Sequence, residues 1–362
     1  MAIPTIRSGA RERDALTDAA GVVILGGCAV WTLVAAAGRE ARPEGVLLAV
    51  LAVAGGYACG RICGSLLPVA AASAAALAAL TLAVALRPDG GVPGDLPGAA
   101  AVGQSAGSTG ATAGLLALAS GAACCAAWAA RPYLLRLALG LLALGVAVTA
   151  LVLGSVAGFA AALGVLLCSL AAARVRRRAV GLAGLALATG LVVGGSWAVA
   201  EDALPDGLTV SLEGQLTVNR VLLWRDAVEL AKEYPRRGAG PDRFGRLSPT
   251  AQETLDSDGK PHSAPLQQAA EQGVTGVVLL GAAYGWMLFG LWRSPVATPV
   301  VLTAAAALTA IAALAAIGTA LSFTAVTAGS GVLAGLATAR RLPDDGGGGA
   351  VASGSAARAR SH

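Results

Sequence analysis

The sequence predicts an all-α integral membrane protein of about ten transmembrane helices, with one large extracytoplasmic loop between spans seven and eight. Three observations predict it. Apolar residues make up 56% of the chain and charged residues only 13%, about half the ~25% of soluble domains. The charge is segregated, so several uncharged apolar runs reach the ~17–25 residues that cross a bilayer core as a helix. One stretch, residues 200–273, breaks this pattern. It gathers most of the acidic residues, both lysines (Lys232, Lys260) and His262, one of two histidines.

Spans one to seven fill residues 20–199 and are expected near 20–37, 44–60, 62–86, 111–130, 133–153, 156–173 and 180–199. Spans eight to ten fill 274–339, near 274–292, 297–317 and 321–339. Residues 1–19 read as a cytoplasmic N-terminus. Residues 340–362 read as a disordered cytoplasmic tail, Gly/Ala/Ser-rich beyond Pro343. The first apolar run ends in Ala35-Ala36-Ala37 and resembles a secretory signal with its cleavage site. It is long for one, and another span follows at once, so it reads as an uncleaved helix.

A cytoplasmic N-terminus makes every inside segment basic: Arg7/Arg11/Arg13, Arg61, Arg131/Arg136, Arg174 to Arg178, Arg293 and Arg340/Arg341. The first outside loops are mixed, with Arg39, Glu40, Arg42 and Glu44, then Arg87, Asp89 and Asp95. Trp31 and Trp197 fall near outer ends, Trp128 and Trp292 near inner ends, as interfacial rings do. The net charge of +5 is therefore topological, and a nucleic-acid partner is excluded. The Arg174–Arg178 cluster also suits lipid headgroups. The location expected is a bacterial cytoplasmic (inner) membrane, with both termini cytoplasmic and membrane lipids as partners. The Ala- and Arg-rich, Lys-poor composition points to a high-GC genome.

Six cysteines lie in or beside apolar runs and none in the loop, so no disulfide framework is implied. Cys59 and Cys63 are one helical turn apart without the further ligands a metal needs, and read as small core residues.

Within the loop, Leu212–Tyr234 reads as an amphipathic helix. Leu216, Arg220, Trp224 and Val228 recur every four residues, while Arg225, Glu229, Lys232 and Glu233 point elsewhere. It is either a surface helix with solvated charges or one lying on the membrane with Trp224 at headgroup level. Pro235 ends it, and Gly238-Ala239-Gly240 follows, a pattern too short for a dinucleotide fingerprint. A second helix starts after Ser263, an N-cap candidate, with Pro265 in its first turn and Gly273 as its stop. His262 then precedes a helix N-terminus, whose dipole favours neutral imidazole. That dipole and the arginines Arg220, Arg225, Arg236, Arg237 and Arg243 suit an anionic ligand such as a phosphate.

The order Arg220-x3-Trp224, Pro235-x2-Gly238-x-Gly240-x3-Phe244, and His262-Ser263-x2-Leu266-x4-Glu271-x-Gly273-x2-Gly276 resembles the O-antigen ligase and polymerase superfamily. The resemblance covers roughly 140–292. It implies a membrane glycosyltransferase of the ligase type, moving a glycan from a polyprenyl-pyrophosphate carrier to an acceptor hydroxyl on a glycan or lipid. It further implies an inverting mechanism with no metal and no cofactor. By likeness His262 is the base and Arg220 the pyrophosphate clamp. Arg225, Arg236, Arg243, Trp224 and Glu271 are the remaining candidates for binding pyrophosphate or glycan. Glu271 either orients His262 or braces the loop.

Two positions depart from the family pattern. Ser263 stands where Asn is usual, a change that keeps capping possible. Gly154-Ser155-Val156-Ala157-Gly158 carries Val156 where a second arginine is common. Either another loop arginine substitutes or the enzyme is altered. The alternatives are a polymerase of the same superfamily, or a degenerate accessory or transport component of polysaccharide export. A coupled transporter usually shows ionisable residues within spans, and the expected spans hold no acidic residue or histidine. No Ser-His-Asp set supports nucleophilic catalysis.

Overall fold

The computed structural model describes residues 5–86, 105–201, 203, 218–253 and 259–340. Side chains are described from Ala15 in the first helix and from Thr109 in the fourth. The described chain is all-helical. The first seven helices are α1 (Thr5–Ala36), α2 (Glu44–Leu66), α3 (Pro68–Ala85), α4 (Ser105–Ala129), α5 (Tyr133–Val152), α6 (Val156–Ala172) and α7 (Arg178–Ala200). Three shorter helices follow, α8 (Val218–Glu233), α9 (Phe244–Leu247) and α10 (Pro249–Glu253). The chain closes with α11 (Ala264–Arg293), α12 (Thr298–Ala316), a 3₁₀ turn at Ala320–Ser322 and α13 (Thr324–Thr338).

Eight helices are long and apolar enough to cross a membrane, and α6 and α13 are shorter apolar helices. Together these ten coincide with the ten expected spans. The chain is an all-α integral membrane protein. The tenth span begins later than expected, because residues 320–322 form the 3₁₀ turn. The second runs on to Leu66, which puts Arg61 inside a helix rather than in a turn. There it forms an ion pair with Asp18 of α1, and Tyr57 hydrogen-bonds the same carboxylate.

Helix ends follow local chemistry. Pro68 opens α3 one residue after α2 closes, since proline lacks the N–H that a first turn leaves unused. Gly154, at φ +69°, turns the chain between α5 and α6. The Ser155 hydroxyl then accepts from Gly158 N–H at 3.1 Å as the N-cap of α6.

α4 and α12 form the centre, with 89% and 72% of their apolar windows buried against 6% for α2. Their neighbours turn large side chains outward, including Leu134, Val22, Val152 and Leu51. Small residues inside and large apolar ones outside suit a lipid solvent, where helix association rests on close packing. α2 meets α13 through Gly56, Gly60 and Gly64 facing Gly331 and Gly335. A Cβ on Gly60 would stand 2.2 Å from the Val332 carbonyl oxygen. Cys124 and Cys125 are buried, whereas Cys168 and, contrary to their reading as core residues, Cys59 and Cys63 are exposed on the apolar exterior. A thiol is apolar enough for that surface.

Successive apolar helices alternate in direction, so their ends collect in two groups. At one end, Arg178 donates to the carbonyls of Ser294 and Val296, and the Ser294 hydroxyl donates to Ala337 O. The charged side chains described there are arginines, apart from Asp18. The other end carries α8, α9 and α10.

Candidate active site

α11 has 30 residues, about 45 Å at 1.5 Å per residue, against a ~30 Å bilayer core. Its surplus is the N-terminal arm 264–272, set off from the span by Gly273 at φ 70°, ψ −167°. Gly273 was expected to stop the helix. It kinks it instead, and the helix resumes. The arm, α8, α9, α10 and the end of α7 share a second apolar core of Ala200, Leu223, Trp224, Ala227, Val228, Leu230, Phe244, Ala251, Leu266 and Ala270. Trp224 is 1% exposed. It is therefore the anchor of this outer layer, packed inside its core rather than open on its surface. Its four-residue spacing is that of a core face.

α8 begins later than expected, and residues 204–217, with Leu212 and Leu216, lie outside those described. Near its start Arg220 donates to Ile317 O at 3.3 Å, at the end of α12. Near its finish Lys232 pairs with Glu201 at 2.9 Å, after α7, and Val274 N–H donates to Pro235 O at 2.9 Å. Both ends are thus tied to outer ends of membrane helices, and α8 lies across them. Asp226 secures the next turn, accepting from the Ser248 hydroxyl and from Thr250 N–H.

The glycines of the loop motif are explained by backbone docking. Ala239 N–H donates to Ala270 O at 2.8 Å and Gly240 N–H to Glu271 O at 2.9 Å. A Cβ on Gly238 would lie 2.2 Å from the Glu271 carbonyl carbon, and one on Gly273 would lie 2.6 Å from Pro235 O. Both residues also have positive φ, which glycine alone adopts readily. Glu271 is buried, with its carboxyl held by the Asp242 backbone and by Gln267 Nε2 at 3.3 Å. Burial pushes its pKa up to about 7, and those hydrogen bonds oppose the rise. These contacts brace the loop.

His262 stands immediately before the arm, half-buried, with left-handed backbone at φ 51°. Few non-glycine residues adopt that region, so the turn into α11 holds its position tightly. Ser263 occupies the N-cap but makes no capping bond, contrary to expectation. Its hydroxyl is buried without a partner, as are Trp224 Nε1, Gln272 Nε2 and Arg243 Nε. Such atoms are uncommon in native folds and mark places that accept water or ligand.

The candidate arginines divide into two groups. Arg220 lies at one end of α8, half-buried, its pKa lowered by burial. Arg236 and Arg243 follow the other end, about 20 Å along the helix axis. Arg225 sits between them, half-buried on α8. Arg220 therefore stands at the opposite end of α8 from Arg236 and Arg243.

The second group has company that the loop sequence did not disclose. Arg39 donates to Gly238 O at 2.6 Å, Arg42 N–H to Pro241 O at 3.2 Å, and Trp31 Nε1 to Gln272 O at 3.0 Å. Arg243 donates to Ala239 O, and Arg237 to Val34 O. The aliphatic stems of Arg39 and Arg243 flank Gly240. Both guanidiniums bear on Tyr234, pulling its pKa down against the larger upward push from Glu233, which hydrogen-bonds it. The available signal was topological: the α1–α2 turn and the loop were both assigned to the outside. Val156 is 76% exposed at the start of α6. Among the described residues no three His, Cys, Asp or Glu side chains gather as a metal site.

No curated protein matches the chain. The O-antigen ligase family model matches residues 141–281. That segment runs from within α5 through the whole outer layer and past the kink of α11, and so takes in Arg220, the docking glycines, His262 and Glu271. Over that segment the chain is similar to the O-antigen ligase family.

Proposed function

We propose that the protein is a ligase-type glycosyltransferase that moves a glycan from a polyprenyl-pyrophosphate carrier to an acceptor hydroxyl on the outer face of the membrane. The observation that carries this reading is the O-antigen ligase match across the segment bearing both His262 and Arg220. Position supports it. A polyprenyl chain dissolved in the bilayer holds its diphosphate at headgroup level, and Arg220 contacts Ile317 at the end of a membrane helix. Charge segregation supports the orientation, with the arginine-rich end inside and both termini cytoplasmic in a bacterial inner membrane.

In the proposed reaction the acceptor oxygen attacks the anomeric carbon of the carrier-linked sugar. The bond from that carbon to the pyrophosphate oxygen breaks, with inversion. His262 takes the acceptor's proton, and Arg220 holds the charge that develops on the departing polyprenyl pyrophosphate. Diphosphate is a good leaving group, so no general acid and no metal is needed. Trp224 and Glu271 hold the layer together, and Arg236 and Arg243 lie on the side away from Arg220, where an acceptor would approach.

The test compares lipid-linked glycans and mature surface polysaccharide in cells carrying wild-type protein, a deletion, His262→Ala or Arg220→Ala at matched expression. Both variants are expected to match the deletion, losing polymer and accumulating donor on the outer face. A polymerase would instead leave single repeat units attached to the acceptor. A His262→Ala strain indistinguishable from wild type would overturn the general-base assignment and leave an accessory role.

A further inference from the structure

A cavity of about 640 Å³ opens at the end of the molecule opposite the outer layer. Its walls are mostly apolar, including Gly64, Ala72, Cys125, Trp128 and Leu336, and Arg340 stands on its lining. A separate small recess beside it is polar, lined by Thr17, Tyr57, Arg61, Arg293, Ser294 and Thr338. Pro295 lines both, so an apolar chamber and an arginine-bearing recess adjoin. The chamber lies within the ~300–1,000 Å³ of ordinary small-ligand sites.

We propose that this is a binding site for one anionic glycerophospholipid from the leaflet on the arginine-rich side. An acyl chain fills the chamber and the phosphate meets Arg340 and Arg293. Two features fix the ligand class. The chamber wall offers little to a polar solute, so the buried part of the ligand is hydrocarbon. Arg178, which donates to the Ser294 and Val296 carbonyls, adds a third arginine beside Arg293 and Arg340. The field there favours an anionic head over a zwitterionic one. Lipid held between α2, α3, α4 and α13 would fasten the glycine-packed α2–α13 pair to the central α4. The inference stands independently of the transferase reading.

Native mass spectrometry of the purified full-length protein tests it, with phosphatidylglycerol, phosphatidylethanolamine or polyprenyl phosphate added to delipidated samples. One phosphatidylglycerol per chain is expected to be retained about fivefold better than phosphatidylethanolamine per arginine engaged. Ala297→Trp, at the exposed lip, and Ala72→Phe, within the wall, should abolish retention. Arg293→Gln with Arg340→Gln should abolish the headgroup preference, and Arg176→Gln should not. Retention unchanged by Ala297→Trp would mean annular lipid only and would overturn the site. Displacement of phosphatidylglycerol by polyprenyl phosphate would overturn the ligand class.

Discussion

Gly238→Ala tests whether docking of residues 235–243 onto the α11 arm organises the outer layer. The added Cβ would stand 2.2 Å from the Glu271 carbonyl carbon and 2.3 Å from Gln272 N, both backbone atoms that cannot swing aside. The position has φ +65°, which costs a side-chain-bearing residue about 1–2 kcal/mol. Relieving the clash breaks the Ala239–Ala270 and Gly240–Glu271 hydrogen bonds, each worth about 1 kcal/mol net. The sum, about 3–4 kcal/mol, raises the local opening equilibrium by at least two orders of magnitude. Hydrogen exchange of the protein in nanodiscs reads this directly, as faster exchange at the amides of residues 239 and 240. The control is Gly140→Ala in α5, where an added Cβ meets nothing within 4 Å and helix propensity improves by up to about 1 kcal/mol. Equal protection in the two variants would refute the docking argument.

Glu271 gives a pH dependence. Its folded pKa is raised above the unfolded carboxyl value, so its contribution is fully present below about pH 4.5 and lost as pH rises through about 7. The effect amounts to about 3 kcal/mol at most. Outer-layer protection should fall between pH 5 and 8 in wild type and stay flat in Glu271→Gln; parallel profiles would disprove it. Gly60→Leu should separate α2 from α13 and lower thermal stability by about 2 kcal/mol or more, whereas Gly55→Leu, with open space around it, should be near neutral. Equal loss would mean that the glycine contact is unimportant. Glycan transfer by purified protein should change by less than about twofold in EDTA, and loss restored by magnesium would contradict metal-independent transfer.

The membrane class and the positions of ten apolar helices were legible in the sequence, because lipid imposes a coarse rule on any chain that crosses it. Uncharged runs of the right length must become helices, whatever their neighbours are. The turn at Gly154 was legible too, since it depends on a few consecutive residues, whereas the break at Pro68 was missed, because the third span was expected to begin near residue 62. The order of the loop motif marked the segment that the O-antigen ligase family matches.

Partnership between segments was decided only by the tertiary structure. Four-residue spacing puts Trp224 on a helix face, but burial of that face came from Phe244 and Leu266, which lie beyond the end of that helix. The loop arginines looked like one anion-binding set until α8 held Arg220 apart from Arg243. Arg39, some 200 residues from Gly238, joined the second group because α1 packs beside α11. In isolation Gly238 read as part of a short glycine pattern and Gly273 as a helix stop. Their reason was each other's strand of backbone, approaching too closely for any Cβ, and proximity of that kind is a property of the folded chain that no local pattern carries.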